Sequence, residues 1–294
     1  MKVTSELTAK LTSPACVKRI LENHNLSLRK KWGQNFLVDG NMVDKILWEV
    51  APKPADHIIE IGPGLGVLTL PMANSGAYLL ALEIDRGLIK FLHEHLSGYS
   101  TVKLQEDDVR KCDLRDLALN AWGKAPEAKI VANLPYYITS PIMFRLLDNE
   151  VPWHRAVFMV QKEVARRMVA PVDSPDYGAL TVLLDCYTQA QYCFTVSRHV
   201  FYPSPRVDSA VVTLDKKEPS HPPADKFLFK KLIFAAFGQR RKTVLNALHD
   251  GLGIDKKTME DRLQEARIDQ NSRAETLSAR EFANLSHVIY NDLK

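Results

Sequence analysis

His57-Ile58-Ile59-Glu60-Ile61-Gly62-Pro63-Gly64-Leu65-Gly66 is the stretch that decides the fold. A short apolar run closing on three spaced glycines reads as a buried strand ending in a tight turn. Working outward, four more runs share its form. Residues 78–82 lead to Glu83-Ile84-Asp85, 102–104 to Asp107-Asp108, 129–132 to Asn133, and 155–160 to Gln161. Helical patterns such as Leu88, Phe91, Leu92 and His95 lie between them. The alternation predicts a doubly wound α/β sheet of mostly parallel strands. Two β-prone runs, 191–196 and 208–214, are expected to close it with antiparallel strands.

Beyond a Pro-rich linker at 216–224 the period changes to 3.6, with Phe229, Leu232, Ile233, Ala236 and Phe237 on one helical face. Ser278 and Glu281 have capping-box spacing before a last helix. The expected organisation is a Rossmann-like domain over residues 1–217, with a basic segment and lid in 1–40. A small all-helical domain over 218–294 follows.

Composition sets the limits. The 294 residues are 46% hydrophobic and 25% charged, the proportions of a globular chain. No run reaches the roughly 18 apolar residues of a membrane span, and no apolar stretch follows Met1 as in a secretory leader. The expected location is the cytoplasm, with Cys16, Cys112, Cys186 and Cys193 reduced and no metal site at their spacings. Net charge is only +4, but residues 1–38 hold seven basic residues against two acidic. A second basic patch is Arg240-Arg241-Lys242. Two such clusters suit a polyanion, or are simply solvated helix surfaces.

Ligands of open α/β sheets bind outside the carboxyl ends of the strands, where Glu60, Glu83, Asp108 and Asn133 converge. The spacing G-x-G-x-G is not the G-x-G-x-x-G of a pyrophosphate loop. It suits S-adenosyl-L-methionine, which carries no phosphate. Gly62 and Gly64 form the turn against its amino-acid portion, Glu60 serves its amino group, and Glu83 the ribose hydroxyls. Asp108, closing the third strand, is placed to accept from the adenine amino group. A nucleobase amine is a poor nucleophile because its lone pair is delocalised into the ring. The Asn133 side-chain oxygen and the Leu134 carbonyl can accept its N–H groups and localise that pair, with Pro135 fixing the turn. Tyr136 offers a stacking face.

Five motifs in order carry a resemblance over residues 15 to 294. They are Gln34-Asn35-Phe36-Leu37, the Glu60–Gly66 turn, Asn133-Leu134-Pro135-Tyr136-Tyr137-Ile138-Thr139-Ser140-Pro141, Phe201-Tyr202-Pro203-Ser204-Pro205-Arg206-Val207-Asp208-Ser209, and Phe237-Gly238-Gln239-Arg240-Arg241-Lys242. The chain resembles the small-subunit ribosomal RNA adenine N6,N6-dimethyltransferases. That resemblance implies two methyl transfers to each of two adjacent adenosines near the 3′ end of small-subunit rRNA, and a role in late subunit assembly. It adds Asn35 and Leu37 to the donor site and Phe201, with Tyr136, to the target base. It implies a pre-assembled small subunit as substrate, no metal, and a monomer. Arg29, Lys30 and Lys31, with Arg240, Arg241 and Lys242, are the candidate phosphate contacts. Trp32 departs from the small or aliphatic residue usual before Gly33, and Asp107-Asp108 stands where the family has Gly-Asp; by its spacing to Asp113-Leu114 the resemblance assigns the adenine contact to Asp108, with Asp107 the alternative. The alternatives are a large-subunit methyltransferase of the antibiotic-resistance type, a DNA adenine methyltransferase, and a non-catalytic RNA-binding assembly factor.

Overall fold

The computed structural model describes residues 2–28, 33–134, 139–148, 152–239 and 241–291. The first half of the chain runs α1 (Lys2–Leu11), α2 (Pro14–Asn23), β1 (Phe36–Leu37), α3 (Gly40–Val50), β2 (His57–Ile61), α4 (Thr69–Asn74), β3 (Tyr78–Glu83), α5 (Arg86–Leu96), β4 (Val102–Glu106), α6 (Leu114–Trp122) and β5 (Ala128–Asn133). It continues through α7 (Thr139–Leu147), β6 (Trp153–Gln161), α8 (Lys162–Met168), α9 (Ala179–Tyr187), β7 (Thr188–Val196), β8 (Phe201–Tyr202) and β9 (Ser209–Lys216). Four helices close it: α10 (Lys226–Phe237), α11 (Val244–Leu252), α12 (Lys256–Glu265) and α13 (Ala279–Asn291).

Seven strands form one sheet in the order β4-β3-β2-β5-β6-β9-β7. The five strands read from the sequence are parallel neighbours, and β9 joins β6 antiparallel, pairing Val157 with Thr213. This is the expected Rossmann-like sheet. The strand order reverses beside β2, where the chain turns from building toward β4 to building toward β6. A ligand crevice opens at such a switch point. Side chains alternate across a strand, so Ile58, Leu79, Val131, Val157 and Val211 share one face, packed with Val43, Ile46 and Val50 of α3. The basic N-terminal segment proves to be a helical hairpin: Leu11, Val17 and Leu21 are buried with Leu88, Phe91 and Leu92 of α5.

The chain divides into two compact units, 1–165 with 191–215, and 166–190 with 216–294. The sequence reading had placed 166–190 in the first domain; the structure groups it with the helices. The reason is α9, whose Val182, Leu183, Leu184 and Cys186 are all buried and which packs on α10 and α13. Tyr187 meets Phe229 edge-on at 6.3 Å, and the Tyr177 hydroxyl donates to the Leu277 carbonyl at 3.0 Å. Ser278 and Glu281 form the expected capping box, the carboxylate accepting from the Ser278 N–H at 2.8 Å.

Gly251 of α11 fixes how closely α10 is approached. A Cβ there would lie 2.6 Å from Ala235 Cβ and 3.0 Å from Ala235 Cα, with backbone rather than a flexible tip in the way. Gly251→Ala is therefore expected to destabilise the helical unit by about 1–3 kcal/mol, the usual cost of overpacking. Urea unfolding followed by circular dichroism measures it, and an unchanged midpoint would count against the close crossing.

Candidate active site

The glycine turn after β2 needs backbone that side chains rarely adopt: φ is +71° at Gly62, +60° at Gly64 and +86° at Gly66. Gly62 donates to the Leu82 carbonyl at 2.9 Å, which ties the turn to the end of β3. Phe36 lies across it, its ring 3.2 Å from where a Gly64 Cβ would stand. The cavity beside the turn is framed by Gly62, Gly64, Glu83, Asp108 and Asn133. Leu11 and Val17 of the N-terminal hairpin also line it.

Two carboxylates sit in this crevice with almost no solvent. Glu60 is 2% exposed, and its Oε2 has no hydrogen-bond partner among the described residues. Burial pushes its pKa to about 8, and the neighbouring Glu83 charge acts in the same direction. Glu83 is better served: Oε1 accepts from the Ile84 and Asp85 N–H groups at 2.9 and 3.0 Å, and Oε2 from Gly64 N–H at 3.2 Å. Burial still prevails over these donors and raises it to about 7.

After β4, Asp107 and Asp108 both line the cavity. The Arg110 fork holds Asp108 through Nε at 2.9 Å and Nη2 at 2.6 Å, which keeps that carboxyl below the usual range. The Asp107 Oδ1 accepts from the Asp108 N–H at 2.7 Å. Arg145 of α7 pins this loop by donating to the Val109 and Cys112 carbonyls.

A strap closes the other side. Phe36 and Leu37 of β1 pair antiparallel with Tyr202 and Phe201 of β8, extended by Val38 N–H to the Val200 carbonyl at 2.8 Å. Gln34 donates to Asp85 Oδ2 at 3.1 Å, and Asn35 Nδ2 to the Gly33 carbonyl at 2.9 Å. Asn133, at the end of β5, donates its amide nitrogen to the Asn35 carbonyl at 3.2 Å. That commits the nitrogen to the strap and keeps the oxygen as the accepting end. Leu134 is buried, its N–H bonded to the Met159 carbonyl at 3.0 Å. Phe201 is 5% exposed and lines the same cavity.

The structure thus gathers Asn35, Leu37, Glu60, Gly62, Gly64, Glu83, Asp108, Asn133, Leu134 and Phe201 round one crevice. Pro135, Tyr136, Arg29, Lys30, Lys31, Trp32 and Arg240 lie outside the described residues. Arg241 and Lys242 are exposed on the helical unit, away from any role in lining this cavity. Sequence reasoning missed Gln34, Arg110, Leu11 and Val17. Gln34 stood inside a quoted motif but offered no chemistry until Asp85 was placed beside it.

A parallel sheet with acids at successive strand tips, a G-x-G-x-G turn and a terminal Asn defines a methyltransferase of the nucleoside-donor class. Comparison takes it further. The family model for ribosomal RNA adenine dimethylase matches residues 25–291, and the chain belongs to that family. The ribosomal RNA small subunit methyltransferase A of Clostridioides difficile is 41% identical over 95% of this chain and 97% of its own. That of Pelotomaculum thermopropionicum is 43% identical over 94% of this chain and 96% of its own. The crystal structure of a dimethyladenosine transferase from Plasmodium falciparum superposes with a TM-score of 0.71 at 28% identity, covering 86% of this chain and 96% of that one. The 23S rRNA methyltransferase ErmE shares the fold, with a TM-score of 0.63 at 24% identity over 86% of this chain and 99% of its own.

The raised Glu60 pKa makes a stability statement. The folded protein holds a proton that the unfolded chain releases near pH 4.5, so its contribution is complete below that value and is lost as pH climbs toward 8. The loss runs at about 1.4 kcal/mol per pH unit for one such group. Ligand-free wild type is expected to lose stability between pH 5 and 8 more steeply than Glu60→Gln. Parallel denaturation curves of the two across that window would remove the assignment.

Proposed function

We propose that the protein transfers methyl groups from S-adenosyl-L-methionine to N6 of two adjacent adenosines near the 3′ end of small-subunit (16S) rRNA. The products are N6,N6-dimethyladenosines, made late in subunit assembly. The observation that carries the reading is the Asn133 amide, whose nitrogen donates to the strap at Asn35 and so leaves its oxygen as the acceptor we assign to the base amine. Relatives named for the small ribosomal subunit, matched over nearly the whole chain, support the choice of substrate.

When bound, S-adenosyl-L-methionine supplies a methyl carbon on a sulfonium: the amine's C–N bond forms as the C–S bond breaks, and sulfur keeps the electron pair. The chain's own residues fit it. Glu60, with one oxygen lacking a partner, suits the donor's ammonium, and the ligand's positive charge offsets the cost of ionising so buried a carboxyl. Glu83 accepts from ribose hydroxyls, and its backbone donors hold the carboxylate in place for them. Asn35 and Leu37 cover the donor from the strap, and Gly62 and Gly64 leave room for its amino-acid portion. At the acceptor end, the Asn133 oxygen and the Leu134 carbonyl take the amine's two N–H groups and draw the nitrogen out of conjugation. Phe201 supplies one face for the base, and Tyr136 the other. Positioning rather than a strong base carries such a step. The surplus proton passes to water at the open mouth.

The target adenosines must be unpaired for their amino groups to be reached. Arg29, Lys30 and Lys31, with Arg240, Arg241 and Lys242, meet phosphates, and the helical unit selects the RNA site within a pre-assembled small subunit. The enzyme works as a monomer in the cytoplasm without a metal. Among the described residues no helix is long and apolar enough to cross a membrane.

Incubation of small subunits lacking the modification with labelled donor, followed by nucleoside analysis, is expected to yield dimethyladenosine at adjacent positions. Asn133→Ala is expected to lower the rate about 100-fold, the scale of losing one preorganised polar contact at a reacting centre. Label on the large subunit would overturn the substrate, and tight donor binding with no transfer would overturn the enzymatic reading. The adenine contact has its own check. Asp108→Asn is expected to weaken donor binding about tenfold, as loss of a hydrogen bond to a charged group does. A larger loss in Asp107→Asn, read by calorimetry, would move the contact to that residue.

A further inference from the structure

On the helical unit, α10 buries Phe229, Leu232, Ile233 and Ala236 and turns Phe227, Lys230, Lys231 and Phe234 the other way. Those four follow i, i+3, i+4, i+7 and make one stripe. Phe227 is 77% exposed and Phe234 46%, among the largest exposures of any apolar side chain described. The stripe lines a surface groove of about 630 Å³ whose floor is Ala235, Gly238 and Gly251. Beyond the Ala235 methyl that floor is bare, because a Cβ at Gly251 would lie 2.6 Å from Ala235 Cβ. Residues 226–242 hold six basic residues and no acidic one.

We infer that this stripe is a base-stacking platform for single-stranded or looped RNA, distinct from the methyl-transfer crevice and from the Arg240-Arg241-Lys242 patch beside it. The inference rests on the proposed RNA substrate and deepens it by naming the element the RNA adopts. Exposed aromatic faces alternating with lysines match a chain whose bases present π-faces and whose links carry negative charge. Asp250 meets Lys242 at the end of this run, and the other cations suit a polyanion, which the RNA substrate already proposed makes a nucleic acid rather than an anionic membrane surface. Spacing selects among RNA forms. Phe227 and Phe234 are seven residues apart, about 10.5 Å along the helix. Stacked bases repeat at about 3.4 Å, so the two rings suit bases splayed apart rather than a continuous stack.

The test uses the full-length protein, the double variant Phe227→Ala/Phe234→Ala, and two probes: a short single-stranded oligoribonucleotide and small subunits lacking the modification. Both side chains are exposed, so the variant is expected to keep the wild-type melting curve and donor affinity. It is expected to bind each probe about tenfold more weakly, from lost stacking. Lys230→Gln/Lys231→Gln is expected to reduce the slope of log K against log salt by about one to two. Ultraviolet cross-linking to the subunit is expected to mark the peptide spanning 226–239. Wild-type affinity of the double variant for both probes, or a cross-link from that peptide to a ribosomal protein or a second copy of this chain, would overturn the platform. Methyl transfer by the wild type is read separately. Its absence alongside variant-sensitive oligoribonucleotide binding would remove the proposed substrate and leave the platform standing.

Discussion

The crevice depends on Glu83. Its carboxylate accepts N–H groups from the glycine turn and from the two residues that follow β3, so one side chain joins that turn to the approach to α5. Backbone N–H groups in the loops beyond buried strands need partners, and the Glu83 carboxylate satisfies three of them. The three bonds do not fully offset the loss of water, since Glu83 still sits near 7 and Glu60, with fewer partners, near 8. Ionising both carboxyls is therefore costly, and a cationic ligand that brings its own hydrogen-bond donors offsets that cost. Binding and the cost of keeping two acids dry are one quantity.

The strap extends this economy to the acceptor side. β1 is only two residues long, yet it touches the glycine turn through Phe36 and β8 through its ladder, while Gln34 just before it reaches Asp85 at the start of α5. β8 carries Phe201, and Asn133 donates to Asn35. The residues assigned to donor and acceptor are therefore parts of one hydrogen-bonded piece. A displaced strap disturbs both. Separate loops for each ligand would not couple them in this way.

Much of this was legible in the sequence because each central strand is a short apolar run with a polar residue at its tip. Glu60, Glu83, Asp108 and Asn133 marked the crevice before any coordinates did. The capping box at Ser278 was equally readable, since its chemistry is local. What escaped was either too short or too uniform. β1 and β8 have two residues each, which leaves no period to detect. α9 is apolar on nearly every face, so its sequence could not say which neighbours it would join, and the boundary at 217 missed its attachment to α10 and α13. The N-terminal segment read as basic because its charges dominate the count, while Leu11, Val17 and Leu21 do the packing. The direction of the Asn133 amide and the grip of Arg110 on Asp108 are long-range geometry that no local pattern encodes.

The discontinuity of the two units bears on how the chain is made. It leaves the sheet unit after residue 165, returns at 191 and leaves again after 215. During synthesis α9 emerges long before α10 and α13, the helices that cover it, and its apolar side chains must wait for about the last quarter of the chain. The final strands of the sheet are translated inside that interval. The sheet unit has all its residues by 215, whereas α9 stays uncovered until α10 and α13 follow, so the helical unit is the one that closes last. A gene fragment ending at the linker would yield not a smaller enzyme but a sheet burdened with an orphaned helix.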